Sequence, residues 1–245
     1  MAPAIRSNFA ARTDPAEDRE FRRLVLPNYR QNPLLVNGAD GSSPVSVEAY
    51  KSLRTQIMKA HISCEVRSLV VTSAAHCDGK TTTTFNLACS FAQLDNVPVL
   101  LVDADLRTQG LSKLIGNVPK IGLSDFLTGD MTCEEIPIKS NLGDLWVVGA
   151  GMSSVSPAEL FSSAKWLQFM IWARKRFKMV LLDSPPICAV TDSDLIASAC
   201  DGILLVVRAL KTPREGLEQG LRQLDKKKLL GVVWNGSSNL SNYYY

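Results

Sequence analysis

The stretch Val70–Thr84, VVTSAAHCDGKTTTT, decides how the rest of the chain is read. An apolar run, SLVVTS (68–73), leads into a short loop ending in Gly79-Lys80-Thr81. The following TTTTFNLACSFAQL carries Phe85, Ala88, Phe91 and Ala92 at helical spacing. Strand, loop, Gly-Lys-Thr and helix in that order set amide N–H groups at a helix N-terminus, where phosphate oxygens are held. Lys80 adds a point charge there, and Thr81 a hydroxyl for Mg²⁺. The usual spacing of such a loop puts a glycine at position 74, and here that residue is Ala74. Taken alone, the tripeptide also fits an ordinary solvated βα turn, so acids elsewhere must decide.

Those acids are present. VPVLLVDADLR places Asp103 and Asp105 where the carboxyl end of a strand should be, and MVLLDSPP does the same with Asp183. Phosphoryl transfer needs a divalent cation on the phosphates, acids to hold it, and a carboxylate able to take a hydroxyl proton. A single such Asp reads equally well as a helix cap or a solvated turn. Three of them after apolar strands, beside Gly-Lys-Thr, read as a nucleotide site.

The frame around them is regular. SLVVTS, VPVLLVD, LWVVGA, KMVLLD, GILLVV and LLGVVW are continuous apolar runs of the kind that form buried parallel strands, with room between them for crossover helices. The fold class expected is α/β, a doubly wound, mostly parallel sheet with helices on both faces. Ser156-Pro157-Ala158-Glu159 and Thr212-Pro213-Arg214-Glu215 each offer a hydroxyl N-cap, Pro at the first helical position and Glu at the third. They predict helices over 157–176 and 213–224. Residues 1–45 read as a flexible N-terminal arm, 46–236 as the domain, and 237–245 as a flexible tail rich in Tyr.

With 245 residues, 46% of them hydrophobic and 21% charged, the chain suits one sizeable soluble domain. A net charge of +3 is too small to imply nucleic acid as the partner. The six cysteines form no C-x-x-C pair, which fits a reducing compartment. No apolar run approaches the roughly 20 residues of a membrane span, and MAPAIRSNFAARTDPAEDRE has no apolar middle of a signal peptide. The expectation is a cytoplasmic protein that reaches the membrane face only through a partner.

The Gly79-Lys80-Thr81 loop, LLVDADLR and LLDSPPICAVTDSDLIASACDGILLVVRA together resemble the ATPase core of the bacterial tyrosine kinases that control capsular and exopolysaccharide synthesis. These form a branch of the deviant phosphate-loop ATPases that also contains division-site and partition ATPases, and the resemblance runs from about residue 45 to 236. It implies an ATP- and Mg²⁺-dependent protein tyrosine autokinase on a P-loop NTPase fold. By the same resemblance Lys80, Asp103 and Asp105 are catalytic, and Asp78, Gly79, Lys80, Thr81, Thr82, Arg107 and Asn235 bind the nucleotide. Thr81, Asp103, Asp105 and Asp183 would hold the metal. Asn235 matches the position that approaches adenine, although Asn-Gly is also a plain turn, and Arg107 fits a phosphate contact or a surface ion pair.

Two further segments extend the resemblance. VEAYKSLRTQI is similar to the Glu-x-x-Arg-x-x-Arg segment that packs relatives into a ring, giving Glu48, Lys51 and Arg54 as an oligomer interface. Lys51 stands in place of an Arg and lacks its planar fork. GSSNLSNYYY resembles the C-terminal cluster phosphorylated on a neighbouring subunit, with Tyr243, Tyr244 and Tyr245 as acceptors. The partners implied are a membrane chain-length regulator (polysaccharide co-polymerase) as activator and an opposing tyrosine phosphatase. Partition and division-site ATPases carry a signature lysine five residues before the invariant one, where this chain has Ala75. A nucleotide switch of that class is therefore the weaker reading. A degenerate nucleotide-binding scaffold is the other, because His76 and Cys77 replace the Pro and Gly common in the kinase loop. The Cys77 thiol, beside a helix N-terminus and Lys80, is expected to be open to oxidation.

Overall fold

The computed structural model describes residues 23–24, 44–116, 120–129, 131–188 and 190–237. Among them eight strands form one sheet: β1 (Arg23–Leu24), β2 (Ser68–Ser73), β3 (Val99–Asp103), β4 (Ile138–Ser140), β5 (Leu145–Val148), β6 (Met179–Asp183), β7 (Gly202–Arg208) and β8 (Leu229–Asn235). Their order is β1-β4-β5-β3-β6-β2-β7-β8, parallel throughout except for the antiparallel β4–β5 pair. The helices are α1 (Pro44–Cys64), α2 (Lys80–Ala92), α3 (Gly110–Ile115), α4 (Leu123–Thr128), α5 (Pro157–Phe161), α6 (Ala164–Arg176), α7 (Asp192–Ser198) and α8 (Arg214–Gln223). The doubly wound, mostly parallel sheet expected from the sequence is the one observed.

Every residue of β2, β3 and β6 is buried, which is why these strands read as unbroken apolar runs. Their side chains alternate between two cores. Val70, Leu100, Val102, Val180 and Leu182 face the core that holds Trp166, Phe169 and Ile196 from α6 and α7. Leu69, Val71, Leu101 and Leu181 face Phe85, Leu87 and Phe91 of α2 and Ile57 of α1. Each fully buried Leu, Val or Phe contributes roughly 1.5–3 kcal/mol, so the two faces hold the sheet rigidly beneath the loops at its carboxyl edge.

All six apolar runs are strands. Two strands escaped notice: β4 is three residues with Lys139 at its centre, and β1 is only two residues long. Two helix readings need correction. The helix predicted over 157–176 is broken between α5 and α6: Ser162 Oγ donates to Ala158 O at 2.7 Å and Ser163 Oγ to Leu160 O at 2.7 Å. Consecutive serine hydroxyls compete for the carbonyls of the preceding turn, and Ser163 turns to extended backbone before α6 restarts. The hydroxyl caps are also absent. Ser156 does stand at the N-cap of α5 with Pro157 at its first position, but its hydroxyl makes no capping bond, and extended Pro213 rather than Thr212 occupies the position before α8. The Thr212 hydroxyl is engaged elsewhere, in the site. No helix among the described residues is long and apolar enough to cross a membrane.

Candidate active site

The loop between β2 and α2 is shaped by bonds from outside it. Asp78, buried, accepts Ala75 N at 3.0 Å on Oδ2 and the Thr212 hydroxyl at 2.7 Å on Oδ1. Its backbone carbonyl accepts Asn235 Nδ2 at 2.8 Å, and Arg208 Nη1 donates to Cys77 O at 3.0 Å. The ends of β7 and β8 thus hold the loop open. Gly79 precedes α2 with φ 99°, and a Cβ there would lie 2.0 Å from Asn235 Nδ2, so this position must be glycine. Cys77 also takes a positive φ, 64°, without being glycine. The first turn of α2 contains no acid, which leaves its N–H groups and helix dipole for an anion.

Lys80 leads inward from that turn. Its Nζ lies 2.9 Å from Asp105 Oδ2 and 3.8 Å from Asp183 Oδ1. Thr81 Oγ1 donates to Asp183 Oδ2 at 2.7 Å. Asp103 and Asp183 are register partners on β3 and β6, so the two strands deliver their carboxylates side by side. Asp103 Oδ2 accepts both Ser112 N and Ser112 Oγ at 2.9 Å. Asp105 Oδ1 accepts Thr108 N at 3.1 Å.

These environments push the carboxyl groups apart. Burial raises Asp183 to about 7 despite the attraction of Lys80, with Asp103 adding repulsion. Burial likewise raises Asp103 to about 6 against the two bonds from Ser112. Asp105 is also raised by burial, but the Lys80 charge and the bonds from Thr108 and Lys80 outweigh it and hold it below the ordinary value. For Lys80, burial pulls downward, and the charges of Asp183 and Asp105 overcome it and hold the ammonium above its ordinary value. Pairs of acids driven in opposite directions mark sites of proton and phosphate chemistry.

Three carboxylates face one lysine, and two oxygens remain over. Asp103 Oδ1 and Asp183 Oδ1 are buried and accept no hydrogen bond. Hard oxygen donors with surplus negative charge suit a divalent cation. Among the described residues no cluster of three or more His, Cys, Asp or Glu forms a ready-made metal cage. Mg²⁺ does not need one, since it keeps several waters and takes one or two carboxylates together with substrate phosphates. Thr81, Asp103 and Asp183 fit that role, whereas both oxygens of Asp105 are already engaged by Lys80 and Thr108.

The structure therefore brings together Asp78, Gly79, Lys80, Thr81, Asp103, Asp105 and Asp183. It gives other expected residues different immediate partners. Arg107 is tied to buried Asp192 through Nε at 2.7 Å and Nη2 at 3.3 Å. Asn235 and the Asp78 carboxylate brace the loop, and Thr82 lies in the first turn of α2. On α1, Ile57 is buried with Tyr50 and Leu53 against the α2 core. Lys51 pairs with Glu48 at 3.6 Å, and Arg54 Nη1 donates to Ser90 O of α2, so Arg54 is drawn into its own subunit. Tyr243, Tyr244 and Tyr245 lie outside the described residues, as does most of the 1–45 arm. Sequence reasoning missed Thr212, Arg208, Ser112 and Asp192. Thr212 was visible only as a helix cap, and Asp192 reads like any acid in the first turn of a helix.

Known proteins are similar to this chain in sequence and in fold. The AAA domain family matches residues 71–230. The tyrosine-protein kinase YwqD of Bacillus subtilis is 36% identical over 203 residues, covering 81% of this chain and 85% of that protein. The solved kinase domain of the Escherichia coli tyrosine kinase ETK superposes with a TM-score of 0.71 at 28% identity, over 86% of this chain and 82% of that one. The MinC:MinD cell division complex of Aquifex aeolicus, at 23% identity and a TM-score of 0.56 over 68% of each chain, shares the fold.

Proposed function

The chain belongs to the bacterial protein tyrosine kinases, and we propose that Lys80, Thr81, Asp103, Asp105 and Asp183 carry the transfer of the γ-phosphoryl group of ATP to tyrosine. The observation that carries this assignment is the meeting of Asp105 and Asp183 at the Lys80 ammonium, with two buried carboxylate oxygens there that accept no hydrogen bond.

Lys80 and the first-turn amides of α2 bind the β- and γ-phosphate oxygens. Thr81, Asp103 and Asp183 hold Mg²⁺, which when bound neutralises phosphate charge. Asp105 is the proton acceptor. The charge on Lys80 that keeps Asp105 weakly basic is the same charge the phosphates attract, so nucleotide binding loosens that pair and raises the basicity of Asp105. In the transfer the tyrosine oxygen forms a bond to the γ-phosphorus, the bond from that phosphorus to the ADP oxygen breaks, and the phenolic proton passes to Asp105. ADP leaves. Arg107 and Asn235 border the nucleotide.

The acceptors are Tyr243 to Tyr245 of a neighbouring copy, assembled through α1. With Arg54 bonded to Ser90 O, the exposed Glu48–Lys51 edge is the part of that segment left for a neighbour. The biological role is control of exopolysaccharide or capsule synthesis and chain length, switched on by a cytoplasmic segment of a membrane co-polymerase and reversed by a tyrosine phosphatase. The domain is built mainly from residues 46–236, between arm and tail, and the arm adds strand β1 to its sheet beside β4.

Purified full-length chain is incubated with Mg·ATP and the acceptor peptide GSSNLSNYYY, and phosphotyrosine is measured. Lys80→Met should remove the signal, and changing all three tail tyrosines to Phe should remove autophosphorylation. ATP hydrolysis without phosphotyrosine would instead indicate a nucleotide switch, and absence of nucleotide binding a scaffold.

A further inference from the structure

We propose that a cleft beside Asp105 seats a second tyrosine ring of the acceptor segment presented by another copy of the chain, two residues from the tyrosine being phosphorylated. The proposal rests on the kinase reading and names how that site selects its substrate.

The cleft encloses about 190 Å³. One wall is Leu106, Arg107 and Gln109, the segment that follows Asp105, and Gln109 N donates to Asp105 O at 2.8 Å. The opposite wall is Val155 and Leu160, with Ser124 from the start of α4. Gln109 fastens the two sides: it stands at φ 51° and its Nε2 donates to Gly151 O at 3.1 Å. Gly151 takes φ 76°, and a Cβ there would meet Ser124 Oγ at 2.5 Å, so glycine leaves room for the Ser124 hydroxyl.

That hydroxyl is the unusual feature. Ser124 is 2% exposed and its Oγ has no hydrogen-bond partner. A buried hydroxyl left so is costly, a cost relieved by any guest that brings a polar tip. The volume narrows the choice of guest. It corresponds to roughly six waters at ~30 Å³ each and falls below the ~300–1,000 Å³ of small-molecule sites. One side chain fits, and a lining that sets Leu106, Val155 and Leu160 among the polar groups of Arg107, Gln109 and Ser153 suits a phenol: an aromatic body ending in a hydroxyl.

The chain itself carries that chemistry in series at Tyr243, Tyr244 and Tyr245. In an extended segment neighbouring side chains point to opposite sides and alternate ones to the same side, about 6.6 Å apart. With one phenol at Asp105, the tyrosine two positions away faces the same surface and reaches the cleft, while the middle one points outward. A run of three tyrosines is then a pair with a spacer, and Tyr243 and Tyr245 exchange the roles of acceptor and anchor.

Steady-state phosphorylation by the full-length chain with Mg·ATP is measured for the peptides NLSNYYY, NLSNYAY and NLSNAYA. The expected KM of NLSNYAY lies within about threefold of NLSNYYY, while that of NLSNAYA, which lacks the second ring, is raised about tenfold. Val155→Glu, placing charge in the apolar wall, should raise the KM of NLSNYAY to that of NLSNAYA and leave the latter little changed. Equal KM values for NLSNYAY and NLSNAYA in the wild type, or an equal rise for both in the variant, overturn the proposal. Fluorescence anisotropy of the labelled peptides with a non-hydrolysable ATP analogue reads the same discrimination without chemistry. Tenfold tighter binding of NLSNYAY supports the seat even if no phosphate is transferred, in which case only the kinase reading fails. Equal affinities overturn the seat while phosphotransfer leaves that reading intact.

Discussion

Replacing Asp183 by asparagine should stabilise the protein above neutral pH in the absence of nucleotide and metal, while abolishing phosphotransfer. Asp183 is fully buried opposite Asp103, and its carboxyl group is raised from 3.8 to about 7. That is a shift of roughly 3 pH units, and at about 1.4 kcal/mol per unit its ionisation within the fold costs about 4 kcal/mol relative to the unfolded chain. Because the folded-state value is the higher one, the stability this group provides is complete below pH ~4 and is lost as the pH climbs through about 7. Asp103, raised to about 6, adds a smaller loss over the same range. The amide oxygen introduced by Asp183→Asn would still accept the Thr81 hydroxyl and would carry no charge; the attraction to Lys80 at 3.8 Å is already counted in the value of about 7. A gain of up to about 4 kcal/mol at pH 8 follows, or roughly 8–16 °C in Tm for a chain of this size. Thermal unfolding in EDTA from pH 4.5 to 8.5 provides the measurement. The gap between variant and wild type should be widest above pH 7.5 and shrink toward zero as the pH falls to about 4. A lower Tm for the variant at pH 8, or a gap independent of pH, would refute the argument that the site stores unbalanced charge for a cation.

Thr212→Ala should weaken ATP binding about tenfold by calorimetry, because the hydroxyl that bonds the Asp78 carboxylate is worth about 1.5–3 kcal/mol to the loop's shape, and Thr212→Ser should restore it. An unchanged Kd in the alanine variant would show that the loop keeps its shape without β7. At Cys77, which sits at φ 64°, Cys77→Gly should leave urea stability within a few tenths of a kcal/mol, since relief of left-handed strain and added unfolded-state entropy nearly cancel. Cys77→Val should cost more than about 1 kcal/mol, and equal stability of the two variants would show that the loop relaxes around this residue.

The parts of the fold visible in the sequence were those made by burial. β2, β3 and β6 are covered on both faces and so could only be written in apolar residues, and the acids at their ends stood out by contrast. β4 stayed hidden because a three-residue strand with a half-exposed Lys139 needs no apolar signature. The break after Phe161 was a contest between the Pro-Ala-Glu start, which promised a long helix, and two serine hydroxyls that end one locally. In the site, the strand-end acids were legible individually, but their division of labour was not. Asp105 is set apart from Asp103 by the reach of Lys80 and by Thr108, and no spacing rule announces either contact. Thr212 shows the limit most plainly. Its position before Pro213 suits a cap, yet Asp78, distant by 134 residues, offers its hydroxyl a charged acceptor.

The bond from Asn235 to Asp78 joins points 157 residues apart. Asn235 is the final residue of β8, and eight positions later comes Tyr243, a stretch that can span at most about 28 Å. The tyrosine segment is thus on a short leash tied to the phosphate loop of its own subunit. Load placed on that leash by a capturing neighbour would reach the 2.8 Å clasp together with the backbone bond from Ala209 N to Asn235 O, where the chain leaves the sheet. A subunit acting as acceptor would then feel the pull at the loop with which it acts as donor, so the two roles compete within one molecule.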